Sequence, residues 1–195
     1  MQYRLNNFGL EAGKMNKLSS FMKDIETCKD CNLDNLSAQI KNNFLRGQGN
    51  LDSKVMFVGI APTYYRKDGN LFTNPSNATD SIFIHGLSVH GIKREDVYVT
   101  NLSKGSSLKN RSLTDKEINH LIIHLHQEIR IIKPMLIVFM GLLFKASDMS
   151  EITSLKIPVV YIKHPSSLRY NDNDVDFSDE IAKVAEKMRE LDILK

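Results

Sequence analysis

The chain has 195 residues, of which 42% are hydrophobic and 25% are charged, as in an ordinary globular protein. This length supports one sizeable core and is too short for two, so we expect a single domain over residues 1–195. The net charge of +3 permits a nucleic-acid partner without requiring one. No apolar run approaches the roughly 20 residues of a membrane span, and the N-terminus is no signal peptide. We therefore expect a cytoplasmic protein with no membrane partner; whether residues 1–14 are ordered stays open.

The first predicted helix covers residues 15–26, where apolar residues recur at helical spacing. Cys28 and Cys31 follow it, and they are the only cysteines of the chain. Such a pair binds one metal ion only if two further ligands join it, and the alternatives are a redox pair or two incidental thiols. Two cysteines do not make a secreted disulfide scaffold.

An apolar run at residues 55–58 predicts a strand that is buried on both faces. Gly59 lets the following backbone approach a ligand closely, and Pro62 stiffens the loop. Open α/β sheets bind their ligands in loops at this end of a central strand. An ordinary surface loop is an equally good interpretation. Around the basic pair Arg66 and Lys67, the loop carries three aromatic residues, namely Tyr64, Tyr65 and Phe72.

A helix is predicted over residues 81–90 and a second strand over residues 96–102, with Asn101 at its carboxyl end. The Asn101 amide offers a donor and an acceptor side by side, which suits a base edge, but Asn is also a common turn residue. The next loop carries cations in positions suited to phosphates, namely Lys104, Lys109 and Arg111.

Thr114 and Glu117 form a predicted capping box, and the helix it starts runs to about residue 132. His120 and His124 share one face of this helix at a spacing that permits metal binding. A solvated helix face is the favoured interpretation of these histidines.

Further strands are predicted at residues 135–140 and 158–162, with helices at residues 142–149 and 177–194. Strands thus alternate with helices, which predicts a three-layer α/β/α sandwich around a central four-stranded, mainly parallel sheet. The loops after the four strands meet at one edge, where the last strand delivers His164. Together they can stack a planar group, bind its polar edge and hold phosphates, as a flipped nucleobase requires.

Eight segments match, in order, the motifs of one family. They are Cys28-x-x-Cys31-x-Leu33, Gly47-x-Gly49-Asn50, residues 55–62, Gly69-x-x-Phe72, Val97-Tyr-Val-Thr-Asn101-Leu-x-Lys104, Asn110-Arg111, residues 132–141 and His164-Pro165-Ser166. On these segments the chain resembles the uracil-DNA glycosylase superfamily, most closely its family 4, the iron–sulfur branch.

The resemblance implies a role for each matching residue. Phe72 stacks on the flipped base, Asn101 hydrogen-bonds its Watson–Crick edge, and His164 donates to the base O2 as negative charge develops there. Leu168 and Arg169 enter the duplex where the base left. Gly59, Ala61, Pro62, Tyr64 and Tyr65 complete the base pocket, and the expected DNA contacts are Lys104, Arg111, Pro165, Ser166, Ser167, Leu168 and Arg169.

The chain departs from the family in two places. Ile60 stands where the family has a Glu that positions water, which leaves Thr63 as a water-orienting group and Asp68 as the only nearby acid. The family also needs four cluster cysteines, and the missing two align with Gly105 and about Leu121. We therefore expect no 4Fe-4S cluster and no cofactor, with Cys28 and Cys31 as a remnant, although completion of a metal site by His120 or His124 stays open.

The resemblance thus implies a monofunctional DNA glycosylase of base excision repair. Uracil is the first expected substrate and a modified pyrimidine the second. DNA is the expected partner, and we expect a monomer. Tyr64 or Tyr65 would exclude thymine sterically at the base C5. A catalytically silent DNA- or protein-binding relative is the alternative. A nucleotide-binding α/β domain is weaker, because no phosphate-binding glycine motif follows the first strand.

Overall fold

The computed structural model describes residues 2–31, 44–64, 69–169 and 176–195. Within these ranges, the strands are β1 (Gln48–Gly49), β2 (Val55–Gly59), β3 (Tyr98–Asn101), β4 (Leu136–Met140) and β5 (Val159–Ile162). The helices are α1 (Gln2–Thr27), α2 (Ala78–Val89), α3 (Asp115–Ile132), α4 (Leu143–Ala146), α5 (Ser150–Thr153) and α6 (Phe177–Glu190). Short 3-10 helices cover Arg94–Asp96, Leu108–Asn110 and Pro165–Arg169.

The strands form one sheet in the order β1-β3-β2-β4-β5. β2, β3, β4 and β5 pair in parallel, which confirms the predicted α/β fold class. β1 is a fifth strand that the sequence analysis did not predict, and it pairs antiparallel with β3 at the edge. It has only two residues, too few for an alternating pattern to be recognised.

Both faces of the sheet are covered, and each has its own hydrophobic core. Met56 and Val58 of β2 point to the layer that contains α1 and α3. Val55 and Phe57, which alternate with them along the strand, point to the layer that contains α2 and α6. Burial on both faces explains why the central strands are continuous apolar runs.

Local signals in the sequence set the helix ends. Thr114 and Glu117 form both halves of the predicted capping box at the start of α3. α3 ends at Ile132, where Lys133 takes a left-handed conformation and Pro134 follows. α1 begins at Gln2, well before the predicted start at residue 15. Within the described ranges, no helix is both long and apolar enough to cross a bilayer.

Candidate active site

The loops that follow the parallel strands meet at one edge of the sheet. Gly59 and Asn101 are directly paired in the register of β2 and β3, so both strands end at the same level. The two chains continue side by side, because the Leu102 N–H donates to the Gly59 carbonyl (2.8 Å). On the other side, the Gly141 N–H donates to the Ile162 carbonyl of β5 (2.9 Å). The predicted convergence of loops is therefore present.

Asn101 is almost buried at this edge, with 4% of its surface exposed. Among the residues that the structure describes, none hydrogen-bonds to its side-chain amide. The amide lies against Gly59, where an added Cβ would be only 2.4 Å from the Asn101 Oδ1. Gly59 therefore supplies space for Asn101, and the amide keeps its donor and acceptor available for a ligand.

Beneath Asn101 lies a buried ion pair between Lys104 and Glu128, with 2% and 0% of their side chains exposed. Lys104 Nζ also donates to the Asn101 carbonyl (2.5 Å) and to Thr100 Oγ1 (2.7 Å). The hydroxyls of Tyr98 and Thr100 donate to the same Glu128 carboxylate. The predicted phosphate contact of Lys104 is therefore wrong, because its ammonium group is committed to an internal carboxylate. The Lys104 ammonium group holds the backbone of Asn101 instead.

His164 follows β5 and is half-buried at the same edge. Its Nδ1 accepts hydrogen bonds from the Ser166 N–H (3.2 Å) and the Ser166 hydroxyl (2.7 Å). A nitrogen that accepts from a backbone N–H carries no proton, so the neutral ring carries its proton on Nε2. Burial lowers the pKa of His164 to about 4, which keeps the imidazole neutral at pH 7. His164 therefore presents a neutral Nε2–H donor.

Phe72 provides an aromatic wall next to His164, with the two ring centroids 5.8 Å apart. Its ring also packs on Phe83 of α2, at a centroid distance of 4.5 Å. The backbone of Phe72 has a φ of 53°, in the left-handed region that a bulky side chain rarely adopts. Surrounding contacts must therefore hold this loop in place.

Two residues that the sequence analysis missed hold the Phe72 loop. Arg94 donates to the carbonyls of Leu71 (2.7 Å) and Phe72 (3.2 Å). Gln48 of β1 accepts from the Leu71 N–H (3.0 Å) and donates to the Gly69 carbonyl. Burial lowers the pKa of Arg94 to about 10, which still leaves the guanidinium charged at pH 7. Only side-chain contacts with distant backbone groups mark these two residues, and such contacts leave no local sequence pattern.

The loop after β2 is fixed by Asn110, whose Oδ1 accepts from the Tyr64 N–H (2.6 Å) and from the Thr63 hydroxyl (3.4 Å). Thr63 is exposed and Tyr64 is half-buried. Ile60 packs against the core on the α1 and α3 side, and its Cδ1 would lie 3.1 Å from a Cβ on Gly141. The residue that replaces the family's Glu is thus an apolar packing residue.

The remaining predicted site residues lie near the start of α3, in the 3-10 helix after His164 and in the loop after β2. Arg111 forms a two-pronged ion pair with Glu117 (3.0 and 2.6 Å), and this guanidinium lowers the pKa of Glu117 to about 2. Pro165 is buried and Ser167 is exposed in the 3-10 helix after His164. Ala61 is half-buried and Pro62 is buried in the loop after β2. The side chains of Leu168 and Arg169, and all of Tyr65 and Asp68, lie outside the described residues.

A second group of functional side chains lies on the α1 and α3 side of the sheet. Cys28 and Cys31 follow α1, and His120 and His124 lie one turn apart on α3. Their four ligand atoms all lie within 4.8 Å of one another. Burial raises the pKa of the Cys31 thiol, so this thiol by itself is not a reactive nucleophile. The favoured interpretation of both histidines as a solvated face missed this grouping.

Comparison with known proteins gives one consistent result. The family model described as "Uracil DNA glycosylase superfamily" matches residues 46–189. A type-4 uracil-DNA glycosylase of Archaeoglobus fulgidus is 28% identical over 80% of this chain and 85% of its own length. The type-4 enzyme of Saccharolobus solfataricus is 27% identical over 80% of this chain and 79% of its own. That of Thermotoga maritima is 34% identical over 52% of each chain.

Proposed function

This chain belongs to the uracil DNA glycosylase superfamily, in its type-4 branch, and we propose that it excises uracil from DNA. The reaction is hydrolysis of the N-glycosidic bond of a base that has been flipped out of the helix, and it leaves an abasic site. DNA is the partner. The monomeric state and the cytoplasmic location stay predictions.

One observation carries this proposal. Asn101 has only 4% of its surface exposed, no described residue hydrogen-bonds to its amide, and it lies at the sheet edge to which His164 and Phe72 also belong. Because the Asn101 amide makes no hydrogen bond to a described residue, its donor and acceptor are available to a ligand without the loss of a protein contact. Uracil offers the matching edge, because its N3–H donates to the amide oxygen while its O4 accepts from the amide nitrogen.

The reaction then divides among three side chains. Phe72 stacks on the base and Asn101 fixes its edge. As the bond between C1′ and N1 breaks, its electrons move onto the base, and the Nε2–H of His164 donates to the developing negative charge on O2. Water adds its hydroxyl to C1′ and its proton passes to the base. A neutral histidine suits this donor role, as the lowered pKa of His164 allows.

Orientation of the water is assigned to the loop after β2. Ile60 has no group that binds water, so the assignment falls to the Thr63 hydroxyl, to Asp68 and to Asn101. Tyr64 or Tyr65 is the proposed steric block at the base C5, which would favour uracil over thymine. A 5-substituted pyrimidine is the second substrate to test. The burial of Lys104 against Glu128 supports a monofunctional enzyme, because it removes a nearby amine from Schiff-base chemistry.

A strand-nicking assay tests the proposal. Labelled oligonucleotides carry one uracil opposite G, opposite A or unpaired, and alkali reveals abasic sites. We expect cleavage at uracil, and a loss of roughly 10²–10³-fold in His164→Ala with DNA binding retained, because one donor to the leaving base is removed. His85→Ala is the matched control, since His85 is exposed on α2.

Two outcomes would overturn the proposal. Equal excision by wild type and His164→Ala would remove His164 from the reaction. A folded protein that binds DNA and excises neither uracil nor any 5-substituted pyrimidine would be a catalytically silent relative.

A further inference from the structure

We infer that Cys28, Cys31, His120 and His124 bind a single zinc ion that fastens α1 to α3. The inference does not rest on the proposed function. Of the four ligand atoms, His120 Nε2 is close to each of the others: it lies 3.3 Å from the sulfur of Cys28, 3.3 Å from the sulfur of Cys31 and 3.2 Å from the Nε2 of His124.

Hydrogen bonds alone do not account for this arrangement. An imidazole nitrogen carries either one proton or one lone pair, so it makes one good hydrogen bond in the plane of its ring. His120 Nε2 has three neighbours at hydrogen-bond distance, all of them possible metal ligands. Three short contacts on one nitrogen are expected if the four atoms share a central cation.

The distances from His120 Nε2 are close to those between the ligands of a tetrahedral zinc site. With Zn–S near 2.3 Å and Zn–N near 2.0–2.1 Å, ligand atoms of a tetrahedral site lie about 3.3–3.8 Å apart. The three distances from His120 Nε2 are 3.2–3.3 Å, and the remaining pairs lie within 4.8 Å. A contraction of the widest pair by roughly 1 Å, within reach of a side-chain rotation, closes the site.

The chain brings the ligands together by two local devices and one packing contact. The Cys28 N–H donates to the Ile25 carbonyl (3.1 Å), which turns the backbone at the end of α1, so that both thiols lie on one turn. His120 and His124 are four residues apart and share one face of α3. α1 packs on α3 in the same hydrophobic core, which places the turn against that face.

A neighbouring side chain orients His124. Its Nδ1 lies 3.4 Å from the Gln127 Oε1, an acceptor that requires the proton on Nδ1 and leaves the Nε2 lone pair facing the site. A carbonyl-type partner on the outer nitrogen is the usual support of a metal-binding histidine.

The donor set identifies the metal. Two thiolates and two imidazoles around one centre are typical of structural zinc, and four protein ligands leave no open position for catalysis. A 4Fe-4S cluster needs four thiolates, and the whole chain has two cysteines. A two-iron cluster divides its ligands between separate iron atoms, whereas His120 Nε2 is close to all three other ligands. Neither cluster fits, and the expectation of a cysteine remnant without metal gives way to a complete site.

Metal analysis of the full-length protein tests the inference. The protein is expressed with added zinc and purified without chelator. Plasma mass spectrometry should find about one zinc ion per chain, with neither iron nor acid-labile sulfide. Cobalt(II) added to the metal-free protein should give the strong visible bands of tetrahedral cobalt and a thiolate-to-cobalt charge-transfer band. Cys28→Ser and His124→Asn should lose the zinc, while His126→Asn keeps it as the matched control on α3.

Each contrary result is distinct. Wild type that takes up neither zinc nor cobalt would overturn the site, and iron with labile sulfide would identify a cluster instead. Zinc retained at wild-type levels in both ligand variants would place it elsewhere. If a variant fails to fold, the cobalt spectrum of wild type decides alone, since thiolate charge transfer requires the cysteines. Metal content is measured without DNA, so this test and the excision assay fail independently.

Discussion

Two neighbouring sets of polar groups at the end of β3 differ in whether they have hydrogen-bond partners inside the protein. Lys104, Glu128 and Thr100 are buried, and each of their polar groups has a partner inside the protein. One step closer to the edge, the Asn101 amide and the His164 Nε2 have no hydrogen-bond partner among the described residues. The backbone of Asn101 belongs to the first set and its side chain to the second.

This contrast suggests how the proposed base-binding amide of Asn101 is held in place without a ligand. A buried side chain that lacks partners tends to move until it finds one, so its backbone must be fixed by something else. Lys104 fixes it through the Asn101 carbonyl, and Gly59 clears the space that the amide occupies. The supporting groups all have partners, and the groups above them keep free hydrogen-bonding capacity for the proposed substrate.

Lys104→Met should have the largest effect, because it removes the cation of the buried set. It leaves the Glu128 carboxylate buried without its cation, and removal of one partner of a buried pair costs about 3–5 kcal/mol of unfolding free energy. Urea unfolding measures the loss, and excision should fall with it because the Asn101 backbone loses its anchor.

Two companion variants make this prediction specific. Lys104→Met combined with Glu128→Gln should recover most of the stability, because the amide oxygen still accepts from Tyr98 and no charge remains buried. Lys109→Met, an exposed lysine in the same loop, should stay within about 0.5 kcal/mol of wild type. A stable Lys104→Met would mean that the ion pair does not support the site.

Gly59→Ala instead tests the open layer, that is, the Asn101 amide and the His164 Nε2, which have no partners among the described residues. The new Cβ would lie 2.4 Å from the Asn101 Oδ1, so the amide must move. A displacement of a positioning group by about 1 Å can lower the rate roughly 10²-fold, and we expect a loss of that size in uracil excision. Gly13→Ala is the control, since a Cβ there meets nothing within 4 Å. Wild-type excision by Gly59→Ala would show that the position of the amide is unimportant.

The open layer was largely predictable from the sequence, whereas its support was not. Asn101 and His164 follow apolar runs that end in a loop, and that pattern is visible along the chain. The partner of Lys104 is Glu128, on a helix 24 residues away, so its burial depends on how α3 packs on the sheet. Without that packing, a lysine in a polar loop is reasonably taken for a phosphate contact.

The same limit applies to the cysteine and histidine group. The Cys-x-x-Cys spacing and the four-residue histidine spacing each indicate half of a metal site. Only the packing of α1 against α3 brings the halves within 4.8 Å. The sequence therefore predicted the two ligand pairs separately and could not predict that they meet.

The pH dependence of stability is the smallest expected effect, and it tests whether His164 is held neutral. Burial lowers its pKa to about 4 in the folded protein, while the unfolded chain keeps an ordinary value of about 6.5. Below about pH 6.5 the unfolded state therefore binds the extra proton, so this contribution is fully present above that pH and is lost as the pH falls toward 4. His164→Asn lacks the titrating group.

Urea unfolding of both proteins at about pH 7 and about pH 5 measures this contribution, because carboxylates common to both cancel in the comparison. Wild type should lose more unfolding free energy between the two pH values than His164→Asn. Equal losses would mean that folded His164 takes up its proton at an ordinary pH. In that case it would be a cation at mildly acid pH, and the bond from the Ser166 N–H to its Nδ1 would have to break. A larger loss in wild type supports a neutral donor that is already set before the base arrives.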